Sequence, residues 1–552
     1  MSPGGESNKP FRMGRSYRLI LNDDGGRGHW NWVAPLSTEQ YLNAVFGAQV
    51  QDKPVDALFW CGLQNPAGAA NYGTKVGEVR GSRMIRFPTT SDWTFGRTLR
   101  GMLDAGQDPL TLICDRGHEL GRHVWLSMRF NDAHHCYGEV LENNNKTTQL
   151  YLDRPDLRIG PDHGWPYDYP TRVWDYAKAE VREYVHELLA EAYLGYDVDG
   201  VELDLMRHPM LFARHNVEEG SKLLNDWMQQ LRVLADEAAD RKGRPQGIAV
   251  RVPSCDPACA EIGIDWRTWV AERWIDVLTA SCFHAAEHDA DLAPFVEGCR
   301  NTPVQAHWCV ELTPGFPHVE HRQSLYYGGR PLGPATEHLR AMALSAYEQD
   351  VDGLYFFNTH FAFERHSTHP DVAFLNELHD PDLLRSRDQI YLVNRDVPTA
   401  HNMFFESAPP RPLPRTLTSN DPTCAFTITV GTDLSDAARA RALRSAVLRI
   451  CLKGLTPQDT IEVSWEGRPL TGDFEPPLAP GTWEQWNGLH FWVADLARTD
   501  CASARGRHKC TVRLVERNPL IDEGITVDFV ELDIRFWHMP GMPISQPIHR
   551  RL

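Results

Sequence analysis

The sequence predicts a mixed α/β fold, a (β/α)8 TIM barrel followed by a C-terminal all-β sandwich. Eight short apolar runs, each ending in polar residues and leading into a helix-length stretch, recur within about 370 residues. The runs are apolar on both faces, as parallel strands covered by helices are. After residue 419 the pattern changes to period-2 segments separated by turn residues, which is typical of a sandwich.

The predicted barrel strands are 17–26, 55–62, 123–135, 196–209, 247–256, 276–284, 303–312 and 351–360. Helical spacing of apolar residues lies between them, as in 175–194, 221–239 and 336–349. A doubly wound sheet is the alternative, but no Gly-rich GxGxxG turn follows the first run. The long stretch 136–173 is either a roof over the barrel mouth or a plain insertion.

The chain divides into four expected parts. Residues 1–15 are a flexible N-terminal arm, 16–385 the catalytic barrel, 386–418 a linker and 419–552 the sandwich. The linker is predicted from the Pro-rich letters SAPPRPLPR. The sandwich strands are predicted at 425–432, 446–455, 460–470, 489–496, 509–517 and 525–537. Bracing the barrel is the favoured role of the sandwich, because no exposed Trp triplet or metal loop stands out.

Charge and composition exclude several classes of protein. The formal net charge of -18 argues against nucleic acid, which needs a basic footprint. We see no apolar run long enough to cross a membrane and no signal peptide, so the chain as it stands is expected to be cytoplasmic. It would be periplasmic or secreted if a signal peptide had been removed. The 12 Cys are scattered, which indicates reduced, buried thiols. The sequence makes no prediction of oligomeric state.

The stretch 196–209, YDVDGVELDLMRHP, holds an unusual number of acidic residues for a buried strand. Glu202 and Asp204 are two residues apart, so both side chains project from the same face. Two carboxylates there cost free energy unless something uses or neutralises them. Gly200 leaves room for a close approach of another element or a ligand. The alternative to a catalytic role is a structural ion-pair cluster with Arg207.

Glycoside hydrolysis requires two carboxyl groups, and the strand ends offer them. The catalytic candidates are Glu202, Asp204 and Glu311, on the fourth and seventh strands, which face each other across the mouth. We expect Glu202 to be the acid/base and Glu311 the nucleophile, with Asp204 competing for either role. The residues expected to bind a carbohydrate substrate are Asn22, Asp23, Trp60, Arg129, Asn131, Asp132, His134, Arg207, His208, Arg251, His284, His307, Trp308 and Asn358.

Neither a metal nor another cofactor is predicted. Metal-dependent amidohydrolase barrels carry HxH on the first strand and an Asp at the end of the eighth, but these runs end in NDDGG and FFNTH. GxSxG, P-loop and HExxH motifs with a plausible context are absent from the sequence.

Four blocks of the chain carry a family resemblance. SMRFNDAHH (127–135), the stretch 173–209, IGIDWRTWVAERWIDVLTAS (262–281) and FLNELHDP (374–381) resemble bacterial glycosyl hydrolase-like barrels, often called family-10-like. Their strand-four motif DG(I/V)xxDxxRxP is matched by Asp199, Gly200, Val201, Asp204, Arg207 and Pro209. The resemblance implies a (β/α)8 barrel over most of 17–381 and glycoside chemistry.

Two wider groups of glycosidases bear on the roles of the carboxylates. Clan-A glycosidases usually have Asn before the acid/base Glu, whereas Val201 precedes Glu202 here. The DGxxxD letters are also similar to α-amylase-type barrels, which would make Asp204 the nucleophile, although Glu202 stands where those enzymes have Arg. The sequence thus predicts a glycosidase that cleaves O-glycosidic bonds of an oligo- or polysaccharide. A non-catalytic carbohydrate-binding barrel and a metal-dependent hydrolase that uses the strand-end histidines are the alternatives.

Overall fold

Eight parallel strands close into a barrel in a computed structural model of the chain. The structure describes residues 12–29, 36–136, 144–282, 287–310, 336–358, 372–395, 405–475, 489–499 and 501–537. The barrel strands are β1 Leu19–Asp23, β2 Ala57–Leu63, β3 His123–Arg129, β4 Gly200–Asp204, β5 Gly247–Pro253, β6 Val277–Ser281, β7 Gln305–Val310 and β8 Gly353–Phe356. Neighbouring strands pair in parallel, and β8 also pairs with β1. The predicted (β/α)8 barrel is confirmed.

Helices cover the outside of the barrel. They are α1 Thr38–Phe46, α2 Thr90–Asp104, α3 Pro109–Glu119, α4 Gln149–Asp153, α5 Ala179–Gly195, α6 Val217–Lys242, α7 Asp256–Glu261, α8 Trp266–Ala271, α9 Ala293–Cys299, α10 Thr336–Tyr347 and α11 Pro381–Leu384. Local sequence sets their ends. The Ser37 hydroxyl accepts from Gln40 N in a capping box that starts α1. Gly243 ends α6 with a left-handed φ of 67°.

Alternation along the strands decides which side chains enter the barrel. An inward cluster that includes Ile20, Phe59, Trp125 and Tyr355 fills the lower barrel, and every member is buried. Gly200 is required there, because a Cβ would lie 2.5 Å from Gly247 O and 2.6 Å from the Trp125 ring. The neighbours that point outward pack against the helices. The upper interior is left to polar residues.

The end of the predicted flexible arm is instead packed under the barrel. Arg12 forms an ion pair with Asp276 (3.1 Å). Met13 is buried in the inward cluster beneath the strands. Arg15 donates to the carbonyl oxygens of Gly121 and Asp56, both at 2.8 Å. The polar, Gly/Pro-rich composition suggested a loose segment, but these few side chains supply apolar and ionic anchors.

Two antiparallel sheets follow the barrel and form the predicted sandwich. One contains β9 Gln389–Leu392, β10 Arg415–Leu417, β12 Leu443–Lys453, β15 Asp473–Phe474, β16 Leu489–Asp495 and β18 Ile525–Phe536. The other contains β11 Thr423–Val430, β13 Thr460–Trp465, β14 Arg468–Leu470 and β17 Gly506–Glu516. A short helix, α12 Leu434–Arg439, lies between β11 and β12. Apolar residues of both sheets share one core.

Two features of this part differ from the sequence prediction. The stretch 386–418, expected as a linker, contributes β9 and β10, which both pair with β18. Its residues Ile390, Tyr391 and Leu392 are buried, which fixes them in the sheet. The segment 460–470 is a hairpin and not one strand, because Glu466 and Gly467 both have positive φ (52° and 74°).

Among the described residues, no helix combines the length and the apolar character that crossing a membrane requires. The cysteines of the described residues are not joined to one another by disulfide bonds.

Candidate active site

The inward face of β4 carries two carboxyl groups. Glu202 lies between Ser127 of β3 and Ala249 of β5, and Asp204 lies one pleat higher, between Arg129 and Arg251. Both carboxyl side chains are fully buried. The alternation predicted from the sequence therefore places them in two successive layers of the barrel interior, with Asp204 nearer the mouth.

Asp204 is an ion-paired carboxylate. Nη1 of Arg251 lies 3.1 Å from Oδ1 and 3.2 Å from Oδ2, and the backbone N–H of Met206 donates to Oδ1 at 3.0 Å. Arg251 is itself held by the Ser281 hydroxyl (3.0 Å) and by the face of the Phe357 ring, 3.8 Å from its guanidinium carbon. These contacts fix the orientation of the Asp204 carboxylate.

Glu202 has the opposite environment. Oε2 accepts from Nδ2 of Asn22 at 3.4 Å, while Oε1 has no hydrogen-bond partner within the part of the chain that the structure describes. Burial, and next the charge of Asp204, raise the pKa of Glu202 from 4.5 to about 7. Ser127 and Tyr355 act in the other direction but do not offset burial. Glu202 therefore keeps its proton up to about pH 7.

A second group of charges lies on the β1 and β3 side of the mouth. Arg129 forms ion pairs with Asp24 and, at 3.3 Å, with Asp132. Burial lowers the pKa of Arg129 to about 10. Asn358, which has a left-handed φ of 48°, donates to Asp24 at 3.3 Å. Strained backbone of this kind is concentrated at functional sites.

His134 and His208 extend this group towards solvent. His134 Nδ1 lies 2.6 Å from Asp132 Oδ1, its Nε2 faces Nη2 of Arg207 at 3.4 Å, and its side chain is 35% exposed. Although burial opposes it, His134 and Arg129 hold the pKa of Asp132 well below its usual range. His208 has a φ of 56° and accepts from the backbone N–H of Ala133 at 3.0 Å. Burial lowers the pKa of His208 to about 3, so the ring is neutral.

Donor atoms of Asp132, His134 and His208 lie within 4.8 Å of one another, which is a possible metal geometry. Their hydrogen bonds do not fit that use. The Ala133 N–H occupies Nδ1 of His208, which leaves the ring proton on Nε2. Both nitrogens of His134 are engaged, by Asp132 and by Arg207. Two guanidinium groups also lie near the Asp132 carboxylate, and they would repel a cation.

Five residues predicted to bind substrate lie away from the mouth. Trp60 and Trp308 alternate outward and are buried against the helices, so neither can stack on a sugar. His307 lies at the bottom of the barrel, opposite the mouth, with Nε2 3.0 Å from Tyr17 O. Asp23 accepts from the Gly25 N–H at 2.8 Å and shapes the turn after β1. Asn131 donates to the backbone carbonyl oxygens of Trp174 and Met210 in two loops.

The mouth brings together Asn22, Arg129, Asp132, His134, Glu202, Asp204, Arg207, His208, Arg251 and Asn358 from the sequence predictions. Glu311 and His284 lie outside the described residues. The sequence reasoning missed Asp24, Ser127, Lys146, Tyr355 and Phe357. Alternation along the strands would have found most of them. Asp24 is two residues from Asn22, Ser127 is two from Arg129, and Tyr355 and Phe357 are two apart, so each pair shares the inward face of its strand. Lys146 lies in the long loop, where the sequence gives no such signal.

No family model matches the chain, and no curated protein matches it in sequence. Among solved structures, it is similar to α-L-fucosidase isoenzyme 2 from Paenibacillus thiaminolyticus, with 12% identity, 66% of this chain and 48% of that chain covered, and a TM-score of 0.38. It is also similar to the α-amylase from Geobacillus thermoleovorans, with 12% identity, 91% of this chain and 100% of that chain covered, and a TM-score of 0.38. A third similar structure is the endo-β-1,4-mannanase from Thermotoga petrophila, with 10% identity, 94% of this chain and 98% of that chain covered, and a TM-score of 0.40.

These structural neighbours are glycoside hydrolases. The chain spans about half the length of the fucosidase, 48%. At identities of 10–12%, these likenesses concern the fold alone.

Proposed function

We propose that this protein is a glycoside hydrolase that cleaves O-glycosidic bonds of an oligo- or polysaccharide at the mouth of the barrel. The observation that carries the proposal is the buried Asp204 carboxylate on the inward face of β4, which Arg251 and the Met206 N–H hold at the mouth of the barrel. Asp204 is ion-paired with Arg251, whereas burial raises the pKa of Glu202 to about 7. Glycosidases use an oriented carboxylate of this kind together with a second carboxyl group on the other side of the scissile bond.

In this proposal Asp204 is the nucleophile. It belongs to the layer nearer the mouth, and Arg251 and the Met206 N–H keep one oxygen in place. Glu202 lies one pleat deeper, with a rise of about 6.6 Å for two residues along a strand. It is therefore a positioning residue that adjusts the charge around Asp204. This reverses the expectation that Glu202 is the acid/base.

The second carboxyl group has to come from another strand. A glycosidic bond is flanked from two sides, and side chains on one face of one strand reach only one of them. β7 lies three positions from β4 around the barrel, and Glu311 directly follows it in the chain. We assign the acid/base role to Glu311. Arg129, His134 and Arg207 are then groups that bind sugar hydroxyls or substrate charge.

Azide rescue tests these roles. The purified protein is first screened with aryl glycosides and polysaccharides, and Asp204→Ala, Glu311→Ala and Glu202→Gln are compared on the best substrate. Azide should restore activity in Asp204→Ala and give a glycosyl azide of inverted configuration, while Glu311→Ala should give a glycosyl azide of retained configuration. Glu202→Gln should change mainly the pH profile.

A matched control is Glu218→Gln on α6, whose side chain is 92% exposed. It should match the wild type throughout. Unchanged hydrolysis in Asp204→Ala would refute the assignment of the nucleophile. Tight glycan binding without any product after long incubation would refute the hydrolase and leave a carbohydrate-binding barrel.

A further inference from the structure

Among the described residues, the mouth holds more cations than carboxylates to pair with them. Its cations are Arg80, Arg129, Lys146, Arg207 and Arg251. Arg129 contacts Asp24 and Asp132, Arg207 lies near Asp132, and Arg251 contacts Asp204. Arg80 and Lys146 contact no carboxylate among the described residues. This excess occurs in a chain whose net charge is -18, so it is not a consequence of composition.

Lys146 lies at the edge of the mouth. The loop that carries it is tied down on both sides: Asn144 donates to His134 O at 2.9 Å, and Asn65 donates to Lys146 O at 2.9 Å. The Lys146 side chain feels the charges of Arg80, Asp132, Arg129 and Arg207. Lys146 as a whole is half-buried. Its ammonium makes no hydrogen bond or ion pair to any described residue.

Arg80 lies behind it with neutral partners. Its guanidinium donates to Asn145 Oδ1 at 3.1 Å and to Gln64 Oε1 at 2.9 Å, and its carbon lies 3.7 Å from the centre of the Phe95 ring. Burial lowers the pKa of Arg80 to about 9. Burial, and next the charge of Arg80, lower the pKa of Lys146 to about 7. Cations placed in protein without a counter-ion cost free energy that an anionic ligand recovers.

We propose that the substrate of this site is a saccharide with a negative charge, a uronic acid or a sulfated sugar. Lys146 contacts the anionic group, and Arg80 contributes positive potential from behind it. Charge-assisted hydrogen bonds of this kind are about twice as strong as neutral ones. This inference rests on the proposed glycoside hydrolase, because it names the substrate class of the same mouth.

Calorimetric titration of the full-length protein tests it without requiring turnover. The ligands are D-glucuronate, D-galacturonate and glucose 6-sulfate, each compared with its neutral parent sugar, and D-glucuronate also with its methyl ester. We expect the acidic sugars to bind on the order of tenfold more tightly than the neutral ones. The sulfate and the two uronates show which anion the site prefers.

Variants locate the effect at Lys146. Lys146→Met should abolish the preference for acidic sugars, and Lys146→Arg should keep most of it. Lys222→Met, at a side chain that is 63% exposed on α6, is the matched control and should leave the preference intact. Equal affinity for acidic and neutral sugars in the wild type would overturn the proposal, as would a preference that survives in folded Lys146→Met.

The two proposals fail separately. Lys146-dependent binding of uronates without cleavage of any glycoside would leave the anion subsite standing and refute the hydrolase. Cleavage of neutral glycosides, with no preference for acidic sugars, would support the hydrolase and refute the anion subsite.

Discussion

At the scale of single residues, Glu202 and Asp204 show how one strand face gives two unlike carboxyl groups. The difference does not come from sequence spacing, since both are buried and point inward. It comes from the layer above, where Arg251 meets Asp204, and from the layer below, where Glu202 meets no cation among the described residues and accepts from Asn22 at 3.4 Å. Position along the barrel axis sets the partners of each group, and with them the raised pKa of Glu202.

This contrast predicts a pH-dependent stability. Burial raises the pKa of Glu202 from 4.5 to about 7, so between these values the folded protein holds a proton that the unfolded chain releases. Its contribution to stability is therefore lost as the pH rises through that window. Glu202→Gln mimics the protonated form, so relative to the wild type it should gain up to about 3 kcal/mol between pH 5 and pH 8. Urea denaturation at both pH values measures the gain.

The control is again Glu218→Gln, whose exposed carboxyl group should give the same difference from the wild type at both pH values. A Glu202→Gln effect that is independent of pH would contradict the raised pKa of Glu202.

Strand parity explains which site residues could be predicted. In β4 the letters VELD reveal the inward face, because the acids stand out against apolar neighbours. In β2 the letters ALFWCGL are apolar on both faces, so the sequence does not say whether Trp60 or its neighbour Cys61 points inward. The structure buries Trp60 against the helices and leaves Phe59 to fill the barrel. Aromatic residues near strand ends were therefore poor guides to the mouth.

At the scale of elements, the end of β3 organises the two loops around the mouth. Asn131 donates to the carbonyl oxygens of Trp174 (3.0 Å) and Met210 (2.7 Å), and the Trp174 N–H donates back to its Oδ1 at 3.2 Å. One side chain thus joins the loop after β3 to the loop after β4, which carries His208. Asn131 holds the site together without lining it.

Asn131→Ala should accordingly loosen both loops. Three hydrogen bonds at about 1 kcal/mol each make the expected destabilisation about 3 kcal/mol. Hydrogen–deuterium exchange should increase in peptides that contain Trp174 and Met210, because the Trp174 amide loses its acceptor. The matched control is Asn43→Ala at an exposed position of α1. Unchanged exchange around Trp174 would show that the loops do not depend on Asn131.

The residues of the motif DG(I/V)xxDxxRxP lie at opposite ends of β4. Asp199 accepts from the Val124 N–H at 2.7 Å and pairs with Arg244 below the barrel, while Asp204 and Arg207 lie at the mouth. The existence and order of the eight strands could be predicted, because each is an apolar run of suitable length. The local turn at Glu466 and the pairing of 389–392 with β18 could not, since both depend on backbone geometry and distant partners.

At the scale of the whole molecule, α10 belongs to the barrel and the sandwich alike. Its residues 337–347 are all buried. Leu344 packs so closely on Gly431 that a Cβ there would lie 2.7 Å from it, and the Ser345 hydroxyl donates to Thr429 O at 2.7 Å. Glu337 accepts from Arg535 of β18 at 2.9 Å. Both apolar and polar side chains are buried around the whole circumference of α10. A helix of this kind is stable only when other elements cover every side of it.

The shared helix predicts that barrel and sandwich unfold together. Wild-type protein should give a single calorimetric transition, because separating the sandwich would expose α10 and leave the buried Glu337 without its cation. Arg535→Met should lower that one transition and destabilise the protein by on the order of 3 kcal/mol. Arg498→Met is the matched control, since the Arg498 side chain is 84% exposed in the same sandwich. Two resolved transitions in the wild type, or a loss in Arg535→Met confined to one of them, would contradict a common unfolding unit.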